Sequence, residues 1–151
     1  MIEYLVFFLA LVFLIGSVSL AIPSKKSQKI SKLRMEARKL GANITSALYG
    51  PNDFKNYKKN EVYYQIINKS ELKEAHYIRD KDKLLLYSPV KFKYSERFVN
   101  INLQIEKVSA SINEIIFTEK NIKFIWNEID DISELKSVSY THLTLPTNRE
   151  V

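Results

Sequence analysis

The sequence predicts an α+β protein with four parts in order: an N-terminal transmembrane helix, a basic juxtamembrane helix, a small antiparallel sheet domain and a truncated C-terminal helix. Three observations lead there. Tyr4 to Ile22 is an unbroken run without charge. Lysines and arginines crowd the stretch directly after it. Beyond residue 42, short β-branched and aromatic segments are separated by turn residues.

The apolar run, about 19 residues at roughly 1.5 Å each, reaches about 28 Å, close to the hydrocarbon thickness of a bilayer. Tyr4 stands where an interfacial aromatic belongs, and Pro23 ends the run where the chain leaves lipid. A cleaved signal peptide is the rival reading, because Ser19-x-Ala21 is an acceptable cleavage pattern. Signal peptides carry a positive n-region, however, whereas Met1-Ile2-Glu3 is acidic. An uncleaved anchor over residues 1–23 is therefore expected. Ser17-x-x-x-Ala21 is a small-residue spacing suited to helix pairing, which leaves a homo-oligomer open.

Charge sets the orientation. The flank after the run holds Lys25, Lys26, Lys29, Lys32, Arg34, Arg38 and Lys39 against Glu36 alone. Positive flanks stay in the cytoplasm. The expected location is thus a bacterial inner membrane, crossed once, with the N-terminus outside and the domain in the cytoplasm. The absence of cysteine agrees with a reducing compartment, and the sequons at Asn43 and Asn68 are then without meaning.

The same block explains the net charge of +6. It takes 7 of the 23 bases and 1 of the 17 acids, and leaves 16 of each sign for the rest of the chain. A folded nucleic-acid face would distribute its positive charge over the domain; here the excess lies beside the membrane. The seven bases are expected to contact anionic headgroups, each worth on the order of 1 kcal/mol near the surface. Nucleic acid is not an expected partner. Lys91-Phe92-Lys93-Tyr94 could stack on a single strand, but a domain body without net positive charge argues for aromatics divided between a core and a wet sheet face.

The elements follow in order. Ser24 caps a helix that Gly41 stops, and Ile30, Leu33, Ala37 and Leu40 form its narrow packing stripe at i, i+3, i+7 and i+10. Residues 24–41 make up this juxtamembrane segment and 42–137 the domain. Ala42 to Tyr49 is mildly β-like, and Gly50-Pro51-Asn52-Asp53 is a turn cluster. Val62 to Ile67 is a strand. Ser70 to Ala75 is expected to make a helical turn. His76 to Arg79 and Lys83 to Tyr87 pair across Asp80-Lys81-Asp82, and Ser88-Pro89 ends that hairpin. Val99, Ile101, Leu103 and Ile105 alternate with Asn100, Asn102, Gln104 and Glu106, which predicts a strand with one buried face. Ile112 to Thr118 and Ile122 to Trp126 read as a hairpin, although Ile112, Ile115 and Ile116 also suit a helix. Asp131 and Glu134 open a last helix. That helix meets Ser139 to Val151, a Thr- and Pro-containing string that resembles translated sequencing-adapter read-through. Residues 138–151 are therefore expected to be a non-native tail and the native protein to be longer.

Chemistry is sparse. Gly16, Gly41 and Gly50 are the only glycines and cannot build a phosphate-cradling loop. With no cysteine, and His76 the sole histidine before the tail, a Cys/His zinc site is excluded within one chain. A Ser-His-Asp arrangement would need His76, with no serine and acid placed around it. Asp80-Lys81-Asp82 lacks the glycine and closing glutamate of a calcium loop. Glu71 and Glu74 lack a visible cleft. No catalytic residue, cofactor or metal is expected.

The span, Pro23-Ser24 with its basic stretch, the segment Leu33-Arg34-Met35-Glu36-Ala37-Arg38-Lys39-Leu40-Gly41 and the Ile112-to-Trp126 hairpin together resemble a group of small single-span inner-membrane proteins of gammaproteobacteria. Some of that group are labelled as the YajC-like accessory subunit of the Sec translocase. The resemblance implies an outside N-terminus and a cytoplasmic domain, and no catalytic residues. The expected function is a membrane-anchored, non-enzymatic protein whose cytoplasmic domain binds a protein partner or supports an envelope assembly. The alternatives are an accessory subunit of a translocation complex and a membrane-anchored enzyme of unassigned reaction.

Overall fold

In lipid an uncharged run must satisfy its own backbone hydrogen bonds, and a helix does so locally. The computed structural model describes residues 1–46, 53–56, 58, 61–108, 110–128, 133 and 136. Helix α1 covers Ile2–Ala21, 20 residues with none buried. Its interior hydroxyls fold back on the helix: Ser17 Oγ donates to the Leu14 carbonyl at 2.8 Å and Ser19 Oγ to the Ile15 carbonyl at 2.9 Å. The helix is long and apolar enough to cross a bilayer, as spans and signal sequences both are.

Helix α2, Lys25–Lys39, begins and ends where its capping residues dictate. Ser24 Oγ accepts the Ser27 N–H at 3.2 Å. At the other end Gly41 takes φ +87°, its N–H reaches the Arg38 carbonyl, and the Ala42 N–H reaches the Ala37 carbonyl, both at 3.0 Å. This pair of bonds is the Schellman closure, and its left-handed residue favours glycine. The chain divides into two units, residues 1–32 and 33–151, so the boundary falls inside α2 rather than after Gly41.

The second unit is built on one antiparallel six-stranded sheet in the order β1-β2-β6-β5-β3-β4. Its strands are β1 Asn43–Ser46, β2 Val62–Ile67, β3 Ala75–Asp80, β4 Lys83–Ser88, β5 Ile112–Phe117 and β6 Asn121–Trp126. The predicted strands at 62–67, 75–88 and 112–126 are thus present, as is the β character after Ala42. Strands β3 and β4 turn over Lys81 and Asp82, with Lys81 at φ +53°. Two bulges re-aim side chains. One, between Ile112 and Glu114, turns Ile112 into the core and Glu114 to the opposite face. The other pairs His76 with Ser88 and Tyr77 with Leu86, leaving Tyr87 unpaired beside His76.

One sheet face carries the main core. Tyr64, Tyr77, Leu84, Leu86, Ile115, Phe117, Ile122, Phe124 and Trp126 lie there, under Leu33 and Ala37 of α2 and Ile105 of helix α3, Phe98–Glu106. A 3-10 helix, Val90–Tyr94, follows the cis Ser88–Pro89 bond and packs Phe92 edge-on against Phe98 at 5.6 Å.

Two local expectations are corrected. Residues 98–106 are helical, not a strand. Phe98, Ile101 and Ile105 sit at i, i+3 and i+7 and turn inward together, because an alternating pattern also contains helical spacings. Asparagine at 100 and 102 weakens the case for a strand further. Ser70 to Ala75 forms no helical turn up to β3. Instead the Asn68 side chain organises this loop, accepting from Ser70 and donating to the Leu72 and Thr118 carbonyls. The turn cluster from Gly50 to Asn52, the helix opening at Asp131 and the tail from Val138 lie outside the described residues, apart from Ser133 and Lys136, which are helical.

Candidate functional site

Two carboxylates hold the elements that frame the domain surface. The first is Glu128, just past β6. Its Oε1 accepts from Arg34 Nε at 2.6 Å and from the Tyr64 hydroxyl at 2.6 Å, and its Oε2 accepts from the second Arg34 nitrogen at 2.9 Å. The planar guanidinium matches the carboxylate with two bonds, which fixes direction as well as distance. Burial pushes the Tyr64 hydroxyl far above its usual range, reinforced by the Glu128 bond, so it donates as a neutral phenol. The Glu128 bond also raises Arg34 against the opposing effect of burial. Together with buried Leu33 and Ala37, this pair locks the second half of α2 onto the sheet.

The second carboxylate is Glu114, fully buried on the other sheet face. Its Oε1 meets His76 Nε2 at 2.5 Å and the Lys55 N–H at 2.7 Å, and its Oε2 accepts the Asn56 N–H at 2.9 Å. Burial alone would raise its pKa. The bonds from His76, Lys55 and Asn56 outweigh burial and hold it below the usual carboxylate range. An ionised carboxylate only accepts, so Nε2 carries the histidine proton. The His76 ring stands edge-on to Tyr87 at 5.2 Å, and Lys55 Nζ lies 5.9 Å over the Tyr87 ring. Residues 53–56 form a strap over this face. Asp53 pairs with Lys123 at 2.8 Å, and Phe54 packs with Tyr63, Ile116 and Ile125.

Both carboxylates join segments distant in the chain. Every oxygen of Glu114 is engaged and none reaches solvent. His76 has an acid partner after all, in Glu114, and Ser88 is its cross-strand neighbour on β4, but among the described residues no serine hydrogen-bonds to it. Among the described residues no three His, Asp or Glu side chains gather to hold a metal ion.

Of the seven predicted headgroup-binding bases, Lys25, Lys26, Lys29 and Lys32 lie exposed on the first half of α2, and Arg38 and Lys39 are exposed in its last turn. Arg34 stands apart, half-buried and committed to Glu128. The packing stripe divides as well. Leu33 and Ala37 are buried, Ile30 is half-exposed, and Leu40 is 44% exposed because the helix ends there and the chain turns away at Gly41. The aromatics divide between core and surface: Tyr64, Tyr77, Phe117, Phe124 and Trp126 are buried, whereas Tyr87 and Tyr94 are exposed. Sequence reading missed Glu114 and Glu128. The available signal was an acid inside the apolar run Ile112 to Phe117. Asn68 is buried with its amide fully used, which makes its sequon unusable in the folded chain.

No protein-family model, no curated protein and no solved structure matches the chain.

Proposed function

We propose that this protein is a single-span inner-membrane protein with its N-terminus outside, whose cytoplasmic domain is a non-catalytic module that binds a protein partner. In this reading α1 stays in the bilayer, and the first half of α2 lies at the surface with Lys25, Lys26, Lys29 and Lys32 on anionic headgroups. One observation carries it: α2 starts as an exposed lysine-rich helix just after the apolar α1 and ends as part of the domain core. A flexible tether would only confine the domain. Here Leu33, Ala37 and the Arg34–Glu128 bond make the end of α2 part of the domain itself. Non-catalytic binding is supported by the engagement of both carboxylate clusters in holding structure.

The test is affinity purification of the tagged chain from membranes in mild detergent, followed by mass spectrometry, together with a C-terminal topology reporter. A stoichiometric partner and a cytoplasmic reporter signal are expected. A soluble, cleaved product or an external reporter signal would overturn the anchor and its orientation. Recovery of the protein alone would count against the partner-binding role.

A further inference from the structure

Helix α3 uses one face for the core and leaves apolar residues on the other. Phe98, Ile101 and Ile105 turn inward, while Val99 is 63% exposed and Leu103 53%. These two are four residues apart and stack on one helix face. The 3-10 helix before α3 adds Val90 and Tyr94, the latter 87% exposed. Among the described residues, four of the domain's nine exposed large apolar side chains therefore fall between Val90 and Leu103. Scattered exposed apolar residues are ordinary, whereas a run of them on adjoining elements marks a contact surface.

The occupant is argued from charge and from the chain. Exposed Lys91, Lys93, Arg97 and Lys107 lie among these apolar residues, against Glu96 and Glu106. Arg97 is shared with Glu71 at 3.2 Å. Exposed apolar side chains with a tyrosine and interleaved lysines are the composition of a segment lying in a headgroup layer. Residues 22–32 alone separate α1 from the domain, so the domain stays at high effective concentration near any bilayer that holds α1. A patch too weak to recruit a free protein can still seat a tethered one.

We infer that the segment Val90–Lys107 is a second bilayer contact, with Tyr94, Val99 and Leu103 entering the interface and Lys91 and Lys93 on anionic headgroups. This rests on the membrane reading above. The experiment uses the full chain in nanodiscs of phosphatidylcholine with phosphatidylglycerol, and in phosphatidylcholine alone. The chain has no cysteine, so Tyr94→Cys, Val99→Cys and Leu103→Cys can each carry one bimane label. Glu119→Cys, exposed in the β5–β6 turn, is the reference, and Val12→Cys in α1 reports the anchor. Brominated acyl chains should quench labels at 94, 99 and 103 several-fold more than at 119. That excess should fall on removing phosphatidylglycerol or on combining Lys91→Glu with Lys93→Glu. Quenching at the three sites no greater than at 119, or indifferent to phosphatidylglycerol, overturns the inference. Labels shielded from aqueous iodide but not quenched by lipid would show a protein covering the patch and also overturn it. An unquenched label at position 12 would instead overturn the anchor itself.

Discussion

Arg34 and Glu128 lie 94 residues apart in the chain and meet through two hydrogen bonds, at 2.6 and 2.9 Å. The bond joins the helix that follows α1 to the end of the last central strand. The end of α2 is thus held to the domain by a contact between segments far apart in the chain, beside the buried Leu33 and Ala37.

Removing either partner should loosen that connection unequally. Glu128→Ala strips the acceptor from both Arg34 and the buried Tyr64 hydroxyl, and should destabilise by about 2–3 kcal/mol. Arg34→Ala leaves Tyr64 bonded and is partly solvent-screened, so about 1 kcal/mol is expected. Chemical denaturation of the single and double variants gives the coupling. Strict additivity would show that the bond does not hold α2.

Tyr64 and Tyr77 should respond in opposite directions to loss of the hydroxyl. Tyr64→Phe removes a buried bond and should lower stability by about 1 kcal/mol. The Tyr77 hydroxyl is buried with no hydrogen-bond partner among the described residues, and burial pushes it up to about 12. Tyr77→Phe should therefore be neutral or stabilising by up to about 1 kcal/mol. Thermal melts of the two variants decide it; equal losses would mean that Tyr77 has a bonding role.

Acid should release the strap over Glu114. Its folded pKa lies below the ordinary value, so its contribution is fully present above the unfolded carboxylate pKa of about 4.3 and is lost as pH falls through the folded value. Glu114→Gln should cost about 1–3 kcal/mol at neutral pH, since an amide cannot accept all three donors. The same variant should show a flatter stability profile on the acid side. Denaturation midpoints measured from neutral pH downward test this, and an acid limb as steep as that of the unsubstituted chain would refute it.

Replacing Lys25, Lys26, Lys29 and Lys32 together with glutamine should weaken or invert the topology. The N-terminal flank offers only Glu3 as a competing side-chain charge. A C-terminal reporter active only outside the cytoplasm reads the change directly. Unchanged topology would count against charge as the orienting force.

Much of the fold could be read locally, and the misses share a cause. The hairpins at 75–88 and 112–126 carry β-branched and aromatic residues around short turns, so each strand pair is visible from its own residues. Val99 to Ile105 reads as a strand by its alternation, and that reading fails because Ile101 and Ile105 fit period 2 and helical spacing alike. Burial of Phe98, at the helical rather than the alternating position, decided it. The mixed periodicity at Ile112, Ile115 and Ile116 was the trace of a bulge: the extra residue shifts Ile112 to the same face as Ile115, while Ile116 faces Phe54. The clamps at Glu114 and Glu128 were illegible, since their donors come from 38 to 94 residues away.

By itself the sequence determined an apolar helix of membrane length, the basic flank behind it, the capped limits of α2 and an α+β domain with its hairpins. These are local properties, set by the solvation of a side chain and the dihedrals its residue prefers. Only the tertiary structure decided that α2 belongs half to the domain, that residues 98–106 coil rather than extend, and that Arg34 serves Glu128. Those outcomes depend on which surfaces remain to be covered once the sheet has formed, and no segment carries that information alone.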